Sequence, residues 1–152
     1  MTIDFNYYDA CYKLCVLNTI LKSTENNEVI ETPLSDHLSV ITRCFYDFDD
    51  GLIGYDYAEF RAAFTRDGKI IDEIVFPNNY KIATKYQRKL WDNDYSMEYR
   101  LQAMKALSPS ALSKFLQHKP MLTEEERAIV IAKAKELEKQ VLEQSEQEKL
   151  HK

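Results

Sequence analysis

The chain of 152 residues is long enough for one domain with a hydrophobic core, and its 45% apolar and 30% charged residues are normal for a globular protein. Its three Gly and four Pro disfavour sheet-rich folds with many tight turns, and its ten Tyr and seven Phe exclude a largely disordered chain. No apolar run approaches the roughly 18 residues of a membrane span, and the first residues lack the features of a signal peptide. With three Cys, an odd number, we therefore expect a cytoplasmic protein with reduced thiols and no membrane association.

The net charge of −5 is unevenly distributed along the chain. Residues 80–119 contain eight Lys or Arg and three acidic residues, which gives a local balance of +5 and leaves −10 on the rest. Such asymmetry fits a nucleic-acid-binding face on an acidic body. Two solvated surfaces without a binding role would give the same distribution.

Apolar residues at helical spacing predict helices in the first half of the chain. The first covers residues 7–22, and an extended link over residues 29–33 follows it. A second helix is predicted over residues 35–45, and a third over residues 56–64, where Asp56 serves as the N-cap. The inward-facing positions of these two helices are Leu38, Ile41, Phe45, Phe60 and Phe64.

The second half of the chain predicts one strand and further helices. A turn signal at residues 66–69 precedes a β-branched run, which predicts one short strand or hairpin near residues 69–76. Helices are predicted over residues 80–91 and 97–107. Thr123 and Glu126 have the spacing of a capping box, which predicts a long final helix that reaches the mid-140s. The apolar seam of this helix, which can pack on the domain or on a second copy, consists of Val130, Ala134, Leu137 and Val141.

Together these elements predict a mainly α-helical protein. We expect a compact helical domain with at most one short strand or hairpin near residues 69–76 and a long C-terminal helix, present as a monomer or a homodimer. The predicted organisation is a single domain over residues 1–145, with an acidic helical body (1–95), a distinct segment (96–122), the long helix (123–145) and a frayed tail (146–152).

The most informative stretch is residues 107–122, in the basic part of the chain. Ser108 can cap a helix, and Pro109 suits the first helical position because it needs no backbone donor there. With its surroundings, residues 99–134, this stretch resembles the helix-turn-helix region of repressor-like DNA-binding proteins. The positions that such proteins bury are occupied by Leu101, Leu107, Leu112 and Phe115, and Ala106 stands in place of their turn glycine.

The resemblance implies a DNA-reading surface. Ser108 would hold a phosphate at the helix N-terminus, and Ser110, Ala111 and Lys114 would meet base edges. The remaining polar and basic side chains would contact the DNA backbone. The expected DNA-binding residues are Arg100, Lys105, Ser108, Ser110, Ala111, Lys114, Gln117, His118 and Lys119, with Lys81, Lys85 and Arg88 as a second backbone contact. An ordinary helical hairpin with a polar, solvated face is the alternative.

A second candidate surface is the acidic, aromatic segment over residues 46–60. No register within it matches an EF-hand loop, because glycine and the terminal glutamate never fall at the required positions together. Mixed acidic and tyrosine side chains suit a basic protein partner, as in immunity proteins and nucleic-acid mimics. A turn region that caps helices and buries its aromatic residues is the alternative. The expected partner-binding residues are Asp47, Asp49, Asp50, Tyr55, Asp56, Tyr57 and Glu59.

The sequence gives no positive indication of catalysis, a cofactor or a metal. A zinc site can be drawn through Cys11, Cys15, His37 and Cys44, but the usual two-residue cysteine spacing is missing. Nucleophile motifs and phosphate-binding glycine loops are also missing. We therefore expect a small non-enzymatic cytoplasmic regulatory protein that binds DNA through a degenerate helix-turn-helix. The alternative is an acidic interaction or inhibitor module that binds a basic protein partner.

The DNA hypothesis predicts duplex binding that weakens steeply as salt rises, because Lys and Arg contacts to phosphates release counterions. Lys114→Glu should abolish this binding. An electrophoretic mobility-shift series across salt concentrations measures both effects. Absence of duplex binding by the purified protein even at low salt would contradict the hypothesis.

Overall fold

The computed structural model describes residues 5–22, 27–47, 57–76 and 118–150. Within them, four strands form an antiparallel meander in which each strand pairs with the next along the chain, in the order β1-β2-β3-β4. A helix precedes the sheet in the chain, and a second helix follows it. The elements are α1 (Phe5–Lys22), β1 (Ile30–Pro33), β2 (Leu38–Asp47), β3 (Tyr57–Arg66), β4 (Lys69–Phe76) and α2 (Glu124–Leu150).

The prediction of a mainly α-helical fold is wrong, since the four-stranded sheet makes this an α+β fold. The extended link at residues 29–33 is strand β1. The helix predicted over residues 35–45 is β2, and the helix predicted over residues 56–64 is β3. The acidic body over residues 1–95 is therefore not helical throughout, and it contains the whole sheet.

The two false helices arise because residues four apart share a face in a strand as well as in a helix. Phe60 and Phe64 are both buried, as a helix would require, but the residue between them, Ala62, is also buried. In β2, Val40 and Thr42 are buried in the same alternation. Burial thus alternates with a period of two in both segments. The sequence does not reveal this period clearly, because Ala62 is small and Thr42 is polar.

Ser35 favoured the false prediction of a helix over residues 35–45, because a serine hydroxyl can accept a backbone amide in a turn as well as at a helix N-terminus. Its hydroxyl accepts a hydrogen bond from the Leu38 amide at 3.1 Å, three residues on, as a helix N-cap would. Here the bond closes a turn, in which the Leu38 carbonyl accepts from the Leu34 amide at 2.8 Å. The chain then enters β2 rather than a helix.

Three other predicted elements are present. Helix α1 covers the residues expected. The strand expected near residues 69–76 is β4, although it is one of four. The capping box is formed in both directions: the Thr123 amide donates to Glu126 Oε1 at 2.9 Å, and the Glu126 amide donates to Thr123 Oγ1 at 3.1 Å. Helix α2 extends to Leu150, beyond the mid-140s and into the segment expected to fray.

The core is organised around α1, which lies between the sheet and α2. Nearly every α1 side chain described from Tyr7 to Thr19 is buried, and only Asp9 and Lys13 are partly exposed. Burial on all sides is what a helix between two layers requires. The apolar seam of α2 is also buried in this core, so it packs within the chain. The sheet contributes the alternate residues Leu38, Val40, Cys44, Phe60, Ala62, Phe64, Ile74 and Phe76.

A buried polar link fixes α1 against the first hairpin of the sheet. The Asn18 side-chain amide donates to Thr32 Oγ1 at 3.1 Å and lies 3.3 Å from Thr42 Oγ1. All three residues are at most 2% exposed. These bonds compensate the cost of burying polar groups, so threonine can occupy core-facing positions of β1 and β2.

The strand assignment of residues 57–66 is tested by adjacent alanines. Ala62 is fully buried, whereas Ala63 lies on the other face, opposite Glu73 on β4. Ala62→Lys should lower the free energy of unfolding by at least about 3 kcal/mol, because it buries an unpaired charge. Ala63→Lys should change it by less than about 0.5 kcal/mol, since the new ammonium meets a cross-strand carboxylate. Urea denaturation measures both, and equal losses would contradict the alternation.

Candidate functional site

A β-bulge in the last hairpin determines which residues of β4 face α1. Thr65 pairs with Ile70, but Phe64 pairs with Asp72, so Ile71 is the extra residue. A bulge of this kind reverses which face the following residues occupy. It places Asp72 in line with Ile74 and Phe76 on the buried face, and Glu73 is exposed. A carboxylate thus enters the protein interior.

Two hydrogen-bond partners from one distant segment, residues 118–121, satisfy this buried carboxylate. Asp72 Oδ1 lies 2.9 Å from His118 Nε2, and Oδ2 accepts from the Met121 amide at 3.2 Å. On the other side of the imidazole, His118 Nδ1 lies 2.7 Å from the hydroxyl of Tyr8 on α1. We call Tyr8, Asp72 and His118 the buried triad, after its two buried members, and the His118 side chain is 22% exposed.

The hydrogen-bond direction in the buried triad follows from the chemistry of its members. A carboxylate only accepts, so His118 Nε2 donates to Asp72. The Tyr8 hydroxyl lies 2.7 Å from Nδ1 and 3.2 Å from the His118 carbonyl oxygen, so with a neutral imidazole its one proton faces two acceptors on the same residue. Tyr8 is 2% exposed and Asp72 is 8% exposed. A substrate therefore has no direct access to the Tyr8 hydroxyl. The hydrogen bonds instead hold residues 118–121 against β4 and α1.

Of the expected DNA-binding residues, the structure describes His118 and Lys119. Both ring nitrogens of His118 are engaged inside the protein, so a DNA contact by this side chain would require it to leave the buried triad. Lys119 is exposed and adjacent. The others lie outside the described residues: Lys81, Lys85, Arg88, Arg100, Lys105, Ser108, Ser110, Ala111, Lys114 and Gln117.

The expected partner-binding residues all belong to one end of the β2–β3 hairpin. The two strands pair to their ends, with Asp47 opposite Tyr57 and Phe45 opposite Glu59. Asp49, Asp50, Tyr55 and Asp56 lie in the connection over residues 48–56, outside the described residues. We call residues 47–59 the acidic hairpin end. The expected helix cap at Asp56 is wrong, because Tyr57 begins a strand.

The residues considered for zinc are not brought together. Cys11, Cys15 and Cys44 are reduced and buried in the core. Burial raises the pKa of the Cys44 thiol to about 12, and it raises that of Cys15 well above its usual value. Both thiols are therefore protonated at neutral pH. His37 lies in an exposed turn, where Nδ1 is 2.8 Å from Asp67 Oδ1. Across the described ranges, no group of three or more potential ligands is placed to hold a metal ion.

An ion pair that sequence reasoning did not find joins the sheet to the start of α2. The Arg66 guanidinium contacts the Glu126 carboxylate through both nitrogens that face it, with Nε 3.0 Å from Oε2. Arg66 thereby holds the pKa of Glu126 below its ordinary value. The buried triad was also missed. Its only sequence signal was a carboxylate, Asp72, inside an apolar strand.

Comparisons with known proteins do not place the chain in a family: no family model matches it, and no curated protein or solved structure is significantly similar to it. Within the part of the chain that the structure describes, no helix is long and apolar enough to cross a membrane.

Loss of the imidazole from the buried triad should destabilise the protein. His118→Ala removes a partner from Asp72 and from Tyr8, and we expect a loss of about 2–3 kcal/mol in the free energy of unfolding. The matched control is His37→Ala, whose ion pair with Asp67 joins side chains that are 76% and 68% exposed. It should cost less than about 0.5 kcal/mol. Denaturant unfolding of the two variants compares the losses.

A double substitution tests whether the effect comes from the triad itself. Asp72→Ala with His118→Ala should cost less than the sum of the two single losses, because each single variant leaves the other group without its partner. Additive losses would show that the Asp72–His118 bond does not contribute.

Proposed function

We propose that this chain is a non-enzymatic protein-interaction module that binds a basic protein partner through the acidic hairpin end. The observation that carries the proposal is the pairing of β2 with β3 out to Asp47 and Tyr57. It makes residues 47–59 the end of one hairpin instead of a set of helix caps. Helix capping is therefore not the role of Asp56, and a turn region that buries its aromatic residues is the alternative.

The charge of the acidic hairpin end supports a basic partner. Residues 47–59 contain five carboxylates and no Lys or Arg. Uniform negative charge steers a basic protein toward the surface and disfavours acidic competitors. The same residues include Phe48, Tyr55 and Tyr57, and aromatic side chains supply much of the binding energy in protein interfaces.

The hairpin that carries this segment is anchored in the core. Cys44 on β2 stands opposite Phe60 on β3, and both are buried, three residues from the ends of the strands. The ring of Phe60 packs edge-on against that of Tyr12 on α1, with centroids 5.5 Å apart. A rigid scaffold that ends in a functional connection is a common arrangement for binding sites.

A DNA-binding role remains a prediction from the resemblance of residues 99–134 to helix-turn-helix proteins. Nothing in the described residues favours it over the interaction proposal, and His118, one of its expected contacts, is engaged in the buried triad. The mobility-shift series described above decides that role separately.

Charge reversal at the acidic hairpin end should abolish capture of the basic partner. Asp49→Lys with Asp50→Lys removes two carboxylates from the connection. The matched control is Asp36→Lys with Glu143→Lys, at exposed positions elsewhere on the chain. Both double variants change the net charge from −5 to −1. Immobilised wild-type and variant proteins are compared by quantitative mass spectrometry of what each retains from a lysate.

The proposal expects a protein of net positive charge that is retained by the wild type and the control, but not by the hairpin variant. With that protein purified, the hairpin variant should raise the dissociation constant at least about tenfold, equivalent to 1.4 kcal/mol. Tyr57→Ala should weaken binding with little change in its salt dependence, since it removes an anchor and no charge. Equal retention by all three proteins, or no basic protein retained by the wild type, would contradict the proposal.

A further inference from the structure

A pocket of about 250 Å³ lies between α1 and α2, on the one side of α1 that is not fully buried. Two small buried residues, Ala10 on α1 and Ala134 on α2, line it. Larger side chains at these positions would fill the space between the helices. The volume corresponds to about eight water molecules at roughly 30 Å³ each, which is enough for a small metabolite.

The charges around this pocket are incompletely matched. Lys13 Nζ lies 3.1 Å from Asp9 Oδ2 and 3.7 Å from Glu138 Oε2, so two carboxylates share one ammonium. The remaining lining cation is Lys135, which forms no ion pair with any described carboxylate. The pocket thus offers two carboxylates that share the Lys13 ammonium and, separately, the exposed ammonium of Lys135.

One oxygen of Asp9 also lacks a hydrogen-bond donor. Oδ2 contacts Lys13, whereas Oδ1 is buried and has no hydrogen-bond partner among the described residues, and the side chain as a whole is 25% exposed. Because a buried acceptor without a donor is unfavourable, an ammonium that reaches this carboxylate is favoured.

We propose that the pocket between α1 and α2 binds a small zwitterion, a molecule with one ammonium and one carboxylate. The ammonium interacts with Asp9 and Glu138, which share Lys13, and the carboxylate interacts with Lys135. A diamine fits less well because it places a second cation near Lys135, and a simple carboxylic acid leaves the donor requirement of Asp9 unmet. This site is separate from the acidic hairpin end and does not depend on the function proposed for it.

The test titrates the whole chain with a series of small-molecule probes by isothermal titration calorimetry. Glycine, β-alanine and 4-aminobutanoate are zwitterions of increasing charge separation. Butanoate and butylamine each lack one charge, and 1,4-diaminobutane carries two positive charges. We expect at least one zwitterion to bind with 1:1 stoichiometry and a dissociation constant of about 1 mM or lower. It should bind at least about tenfold more tightly than either singly charged probe.

Two variants locate the binding, and two matched variants on the same helix control for the loss of a charge. Lys135→Gln and Glu138→Gln should each weaken the zwitterion at least about tenfold. Lys139→Gln and Glu143→Gln, at exposed positions outside the pocket, should leave it unchanged. Circular dichroism of all four confirms that they fold.

Three results would overturn the inference. The first is failure of every zwitterion to bind at about 10 mM, ten times the expected dissociation constant. The second is equal or tighter binding of 1,4-diaminobutane, which would indicate a polyamine site. The third is equal weakening in the control variants, which would indicate nonspecific electrostatic attraction.

Discussion

The structure depends on the burial of one helix, α1, on nearly every side. Because α1 lies between the sheet and α2, it supplies apolar surface to both layers. Its aromatic residues do much of this packing: Tyr7 contacts Phe64, and Tyr12 contacts both Phe60 and Phe76. Among the described elements, α1 packs on both the sheet and α2, and the seam of α2 lies in the same core. Loss of α1 would therefore expose two apolar surfaces at once.

Because nearly all of α1 from Tyr7 to Thr19 is buried, its polar groups must stay neutral or find partners within the protein. Burial raises the pKa of the Tyr7 hydroxyl and of the Tyr12 hydroxyl well above the usual value for tyrosine, so both stay neutral. Asn18 binds Thr32 on β1, and Tyr8 contacts His118 in the segment that leads to α2. Polar contacts thus tie the central helix to parts of the chain on both sides of it. Such bonds favour one packing arrangement over others, since a shifted helix would leave them unmade.

Local chemistry predicted the parts of this fold that local interactions determine. The capping box of Thr123 and Glu126 needs only residues three apart, and it is present. Helix α1 was predicted because its apolar positions are dense enough to mark one face, although most of its other positions are buried as well. The β2 and β3 strands were missed because a small residue, Ala62, and a polar residue, Thr42, occupy core positions and obscure the alternation of large apolar residues. The Thr42 hydroxyl is accommodated there by Asn18, 24 residues away, and by the Ile30 carbonyl oxygen at 3.5 Å, and no local pattern reveals these contacts.

The candidate sites also differ in whether the sequence predicts them. The acidic hairpin end was recognised from composition, because charge and aromatic content are readable without a fold. The buried triad and the pocket between α1 and α2 were not, because each joins residues more than 40 positions apart. The bulge at Ile71 decides that Asp72 rather than Glu73 turns inward, and a single extra residue in a ladder leaves no clear trace in the sequence.

The buried triad also has a topological consequence. The chain leaves β4 at Phe76, and His118 brings it back to Asp72 on the same strand, four residues away. Two described residues that lie 46 positions apart in the chain are thus held together. The free-energy cost of closing a connection rises by only about 0.6 kcal/mol for each doubling of its length. The triad therefore fixes the place at which the chain returns to the sheet almost independently of the length of the connection.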